Sequence, residues 1–395
     1  MGFAAGSVSF RRYLVTGKHP KAVDQALLDA LSEHALRPSD VGVPEEVEYG
    51  WCGGRHVLDG TFSFDNNVFG DALHFALRID TNRVPSELKK AYQLMEEEAA
   101  AANNPSGFIS KSQKRDAKDT VRRKLDDEAR SGRFRRSKLL PMLWDFPSQT
   151  LLCAASSSAQ EKLMEIFERT FGLELEPISA GSLGARLLEQ HGKRRDYEDL
   201  RPTRFVTGPD GDNQPPEYPW ASKGDQAKDF LGNEFLLWLW HEADARSAII
   251  TTKSGDVTIY FDRALDLDCA YGQTGRDTFR GDGPSRMPEA LDALRSGKVP
   301  RKAGLILDAI GNQFTLNFNA ETFALGSLKL PDVEEAETPR VLFEERITML
   351  RDFCQCLDNL YAAFLKTRTS GGWESHVATM RRWIMQSTRP VAAVA

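Results

Sequence analysis

Lys111, Lys114, Arg115, Lys118 and Arg122 recur within twelve residues, in a stretch with helix signals at both ends. At about 100° per residue they fall within an arc of roughly 100°, so a helix gathers them into one basic stripe. A row of like charge repels itself and suits a polyanion, whose phosphates it can contact with release of condensed counterions. Arg123 belongs to the same helix, and Arg133, Arg135, Arg136 and Lys138 carry the charge past its end. From Lys111 to Lys138 there are twelve basic and five acidic residues, net +7, in a chain whose total is −6, which leaves −13 elsewhere. A solvated helix face supported by i,i+4 pairs is the competing explanation.

Other chemistry is thinner. Asp80 followed by Glu87-Leu88-Lys89 echoes the acidic and ExK spacing of a nuclease, but metal-dependent cleavage needs carboxylates converging on one ion, and Glu87 has a structural role in the first turn of a helix. Asp262, Asp266 and Asp268 read equally well as a solvated strand end. Cys354-Gln-Cys356 lies in a helical pattern, where neighbours two apart do not share a face. No P-loop, GxGxxG, HExxH or GxSxG motif occurs, and the seven histidines are dispersed, so no triad, metal or cofactor is assigned and no enzyme is expected.

The elements that must position the stripe form a helical hairpin. Pro85 and Ser86 open one helix, with Leu88, Tyr92, Met95 and Ala99 at helical spacing, and Asn103-Asn104-Pro105-Ser106-Gly107 stops it. Ser110 with Gln113 reads as a capping box for a second helix, about 30 Å long from Lys111 to Arg130, which Ser131-Gly132 ends. Its apolar stripe is thin (Ala117, Val121, Leu125, Ala129), so the hairpin is expected to project from the body.

Before the hairpin, Ser7 to Val15, Val47 to Leu58, Thr61 to Phe64 and Asp71 to Asp80 read as strands, with a covering helix over Val23 to Leu36. After it come strands Leu139 to Asp145 and Leu151 to Ala155 and the helix Ser158 to Phe171. Gly192 to Asp225, rich in Pro, Gly, Asp and Lys, reads as a long loop or linker. Phe230 to His241 is a densely apolar helix in which Trp238 and Trp240 read as core. Ser247 to Asp262 and Lys302 to Phe318 alternate as hairpins, Met287 to Arg295 is a short helix, and Arg340 to Lys366 is helical again.

The expected fold class is therefore α+β. A β-rich platform (1–83 and 139–185) carries the inserted basic hairpin (84–138). A linker (186–229), a second α+β region with β-hairpins (230–332), C-terminal helices (333–388) and a disordered tail (389–395) follow. With 41% hydrophobic and 27% charged residues the composition is that of a soluble globular protein. Five scattered cysteines, no leader pattern and no apolar run near the roughly 18 to 20 residues that span a bilayer lead to the expectation of a reduced, cytoplasmic protein without a membrane partner.

Two blocks resemble the recombination-associated protein RdgC family. The first is the basic hairpin with Gly132-Arg133-Phe134-Arg135-Arg136-Ser137-Lys138, the two strands after it and the helix to Phe171. The second runs from Glu289 to Leu330 through Leu294-Arg295-Ser296-Gly297-Lys298-Val299, Ala303 to Leu307, Phe314 to Phe318 and Leu325 to Leu330. The resemblance implies a sequence-tolerant protein that binds double-stranded DNA as a ring-shaped homodimer, is associated with the nucleoid, and restrains RecA-type recombinase filaments. It implies hairpin tips that meet across the dimer, a loading or dimer-contact aromatic for which Phe134 is the nearest match, and basic residues at Lys298 and Lys302 near the hole or second dimer contact; Arg301 beside them is a further DNA-binding candidate. A metal-dependent exonuclease acting on DNA and a protein-interaction scaffold are the alternative readings.

Overall fold

A computed structural model of the chain describes residues 2–18, 20–37, 46–104, 107–154, 157–208, 215–221, 228–333 and 337–386. Strand β1 (Val8–Thr16) and helix α1 (Gln25–Glu33) come first, then β2 (Val47–Cys52), the one-turn α2 (Phe64–Asn67), β3 (Val68–Phe69) and β4 (Ala72–Asn82). Helices α3 (Ser86–Ala102) and α4 (Lys111–Arg130) precede β5 (Arg135–Asp145), β6 (Thr150–Cys153), α5 (Ser157–Phe171) and β7 (Glu174–Pro177). Then follow α6 (Ala180–Gln190), α7 (Arg194–Asp199), α8 (Phe230–Ala245), β8 (Ile249–Thr252), β9 (Gly255–Cys269) and β10 (Arg276–Gly281). The chain continues through α9 (Pro288–Arg295), β11 (Lys298–Ala309), β12 (Asn312–Asn319), β13 (Leu325–Lys329), α10 (Pro339–Arg368) and α11 (Trp373–Met385). It is a mixed α+β fold with a multi-stranded sheet and a C-terminal helical region, and none of its described helices is long and apolar enough to cross a membrane.

The chain divides into two compact units. One comprises residues 17–146 and 155–174. In it β4 lies between β2 and β5, antiparallel to both, in register from Ala72↔Asp145 to Asn82↔Arg135 on the β5 side. Nine consecutive β4 residues are buried, the mark of a strand covered on both faces. Trp144 anchors the core against Phe146, Phe167 and Phe171, and Trp51 donates its indole N–H to Thr170 at 2.8 Å. The hairpin of α3 and α4 leaves β4 and returns to β5, its sheet neighbour.

The other unit comprises residues 1–16, 147–154 and 175–395. Its antiparallel sheet runs β10-β9-β11-β12-β13-β1-β6. Thirteen consecutive residues of α8, Phe230 to Glu242, are buried, as expected of a helix that is apolar nearly all round. Phe235 meets Phe318, Phe323, Tyr361 and Phe364 and so ties α8 to strands and to α10. Gly232 makes the approach possible: a Cβ there would stand 1.9 Å from the Ala320 carbonyl oxygen.

Three segments differ from their sequence reading. Thr61 to Phe64 is not a strand; Ser63 caps α2 by accepting the Asn66 N–H, with Asp65 in the first turn. Strand β2 stops at Cys52, whose thiol donates to carbonyls of the following turn. The stretch 192–225 contains α7 and buries Tyr197, Phe205, Val206 and Tyr218, while 209–214, 222–227 and the tail 389–395 lie outside the described residues.

Candidate nucleic-acid interface and a buried histidine cluster

The hairpin builds its own small core. No residue of α3 is fully buried, and α4 buries only Ala117, Val121 and Leu125. Val121, Leu125 and Phe134 form a cluster against which Val84, Leu88, Tyr92 and Ala129 pack. Lys124 adds a cation–π contact, 4.6 Å from the centre of the Tyr92 ring. At the far end the capping box forms: the Ser110 hydroxyl accepts the Gln113 backbone N–H, and the Gln113 side-chain Oε1 accepts the Ser110 N–H. The Gln113 amide also exchanges hydrogen bonds with Asn104 at 3.0 and 3.1 Å, which fixes the two helix ends together.

The basic residues named from the sequence divide into two groups. Lys111, Lys114, Arg115 and Lys118 are exposed and form no ion pair among the described residues, and Arg136, Lys138 and Lys302 share that condition. Arg122 reaches Asp126 only at 3.8 Å with both side chains mostly exposed, and Arg123 bonds Asp119 and Thr120 of its own helix. Arg133, by contrast, pairs with Glu128, and Arg135 with Glu48 at 2.7 Å and Asp80 at 2.8 Å. Lys298 is buried against Asp277, and Arg301 spans Asp268 and Glu321 while lying over the Trp220 ring.

From Lys111 to Arg122 the helix rises about 16 Å, so the stripe carries one charge per about 4 Å, close to the roughly 3.4 Å per phosphate along one strand of a duplex. Phe134 is 8% exposed and belongs to the hairpin root. The exposed aromatic of the hairpin is Phe108, 82% accessible beside the tip and adjoining Gly107 at φ +65°. Sequence reading missed it, although its place between the Gly107 turn and the Ser110 cap was in view.

The acidic candidates are occupied. Asp80 accepts both Arg78 and Arg135. Burial pushes its carboxyl up, but hydrogen bonds from Arg78 and Ser137 and the charges of Arg78 and Arg135 more than offset this and hold it below the usual range. Glu87 is engaged by Ser86 at 2.8 Å. Asp266 pairs with Arg276 and Arg280, Asp268 with Arg301 and Asp262 with Arg263.

In α8 four polar residues lie within the buried run. The Asn233 amide donates to the Pro300 carbonyl and Glu321, and Glu234 accepts the Thr203 N–H at 2.6 Å and Arg368 at 2.7 Å. The other two, His241 and Glu242, meet His376 of α11: Nδ1 of His241, a Glu242 oxygen and Nε2 of His376 lie within 4.8 Å of one another. Burial depresses the His376 pKa against the pull of Glu242, with His241 and Arg246 adding to the depression. The dispersed histidines gave no sign of this group, since 135 positions separate its two rings; the only local hint was a His-Glu pair inside an apolar helix.

No family model matches the sequence, and no curated protein matches it.

Proposed function

We propose that this chain is a sequence-tolerant binder of double-stranded DNA, of the kind its resemblance to the RdgC family implies. The observation that carries the reading is the face of α4: exposed cations, spaced like phosphates, with little or no internal neutralisation among the described residues. Lys111, Lys114, Arg115, Lys118 and Arg122 contact phosphates, Arg136 and Lys138 extend the track at the root, and specificity for base sequence is absent because no base edge is read. The protein acts as a homodimer that encircles the duplex, with the exposed Phe108 beside the tip making a contact across the dimer, and it restrains recombinase filaments on DNA in the cytoplasm at the nucleoid. Fluorescence anisotropy of labelled duplex against protein, with oligomer mass recorded in the same buffer, tests it. Binding by a dimer is expected, and absence of binding at low salt overturns it.

One specific observation favours a second reading, a metal-dependent exonuclease: the group of His241, Glu242 and His376, which has the donor types of a metal centre. Labelled DNA incubated with Mg²⁺, Mn²⁺ or Zn²⁺ separates the two. Shortening of DNA that is lost in His376→Ala supports the nuclease, and intact DNA supports the binding protein.

A further inference from the structure

The group formed by α8 and α11 has a feature that DNA binding leaves unexplained. The Glu242 oxygen stands 3.5 Å from Nδ1 of His241 and 3.6 Å from Nε2 of His376. All three atoms are sealed from solvent, and none has a hydrogen-bond partner. Buried polar atoms are almost always satisfied, and three orphans within 4.8 Å of one another call for a ligand that accepts lone pairs from all of them.

We infer that His241, Glu242 and His376 bind one divalent transition-metal ion, zinc by its donor chemistry, and that the ion joins α8 to α11. Around a tetrahedral ion with bonds of about 2.0 to 2.2 Å, ligand atoms stand roughly 3.4 Å apart, so the two carboxylate–imidazole separations need change by only a few tenths of an ångström. Two imidazole nitrogens and one carboxylate oxygen suit zinc, with water in the fourth position, whereas magnesium and calcium call for oxygen ligands throughout.

The surroundings hold the ligands in place. Arg246 faces the second Glu242 oxygen at 3.5 Å and leaves the first for the ion. Trp373 lies parallel to the His376 ring, 5.8 Å between centres and 10° between planes, and Trp383 meets His241 edge-on at 5.5 Å. His376 is the least enclosed of the three, its side chain 16% accessible, and marks the way in for the ion. The ion is a staple for α11, and its fourth position stays open to water.

The test uses the full chain, treated with a chelator, dialysed and titrated with Co²⁺ and then Zn²⁺. One equivalent of Co²⁺ is expected to give the visible absorption of a four-coordinate nitrogen and oxygen site, without the thiolate bands that cysteine binding would add, and to quench tryptophan fluorescence. Zn²⁺ then displaces it and raises the melting temperature. His376→Phe keeps a ring on Trp373 but offers no lone pair; it is expected to weaken binding at least about 100-fold, remove the zinc-dependent rise, and leave the metal-free melting temperature equal or higher. Glu242→Gln is expected to weaken binding likewise. Absence of cobalt absorption and of any zinc-dependent rise in the wild type, or an undiminished response in both variants, overturns the inference. Because the site does not rest on the DNA reading, these results leave that reading where its own assay puts it.

Discussion

Neutralising the stripe provides a quantitative test of how the hairpin would hold DNA. In Lys114→Gln/Lys118→Gln/Arg122→Gln three cations are lost from one face of α4, and each phosphate contact contributes about 0.9 to the slope of log affinity against log salt. The slope is therefore expected to fall by about 2.7. At 0.1 M salt that is roughly a 500-fold loss of affinity, or about 3.7 kcal/mol, growing at lower salt and shrinking at higher salt. The fold is not expected to suffer. All three side chains are exposed, Gln is close to Lys and Arg in helix propensity, and the only ion pair removed among the described residues, Arg122 with Asp126 at 3.8 Å, is so solvated that it contributes at most about 0.5 kcal/mol. Anisotropy titrations at four salt concentrations, with thermal unfolding of the same preparations, measure both quantities. An unchanged slope, or an equal loss at every salt concentration, would refute the phosphate-contact reasoning.

Arg135→Gln is expected to do the reverse: it removes bonds to Asp80 and Glu48, costs about 1.5 to 3 kcal/mol in denaturant unfolding, and leaves the salt slope unchanged. Phe134→Ala empties the hairpin root and should destabilise it by about 3 to 5 kcal/mol, visible as faster amide exchange in α4. Phe108→Ser should leave unfolding within about 0.5 kcal/mol of the wild type. If tips meet across a dimer, burying two such rings at about 1.5 to 3 kcal/mol each implies a 10²- to 10⁴-fold weaker dimer in the variant, which sedimentation at varied concentration would read. Burial pushes the pKa of His74 down from 6.5 to about 4, with Asp59 pulling weakly upward. Its folded-state pKa is depressed, so the unfolded chain binds the proton first: the stability is fully present above pH 6.5 and is lost as pH falls toward 4. Between pH 7.5 and 4.5 this amounts to about 2.5 kcal/mol, and His74→Gln should flatten the unfolding profile by that amount relative to the wild type.

The hairpin was legible because its signals are local. Ser110 and Gln113 cap α4 as their spacing indicates, Gly132 takes the positive φ that ends it, and the 3.6-residue period places Ala117, Val121 and Leu125 inward. The apolar run from Phe230 likewise gave α8, and the alternation around Gly311-Asn312 gave β11 and β12. What escaped depends on partners distant in sequence. Nothing near Arg135 shows that Asp80, 55 positions away, will bind it, so it resembled the free cations of the stripe. Phe134 was matched through the family resemblance alone, which carries no information on its burial with Val121 and Leu125 at the root of the hairpin. The cluster of His241, Glu242 and His376 forms only once α11 packs on α8. Strand β10 was unreadable for a different reason: Arg276 to Gly281 is polar and mostly exposed, and it holds its place by pairing with β9 and by the ion pairs of Arg276 and Arg280 with Asp266.

The most direct test of the central claim is the affinity of the wild-type protein for two duplexes of equal length and unrelated sequence, measured between 50 and 200 mM salt. With about 6 to 10 phosphate contacts, affinity is expected to fall roughly 10³- to 10⁵-fold over that range and to be the same for both sequences. A flat salt profile, or a strong preference for one sequence, would contradict the account.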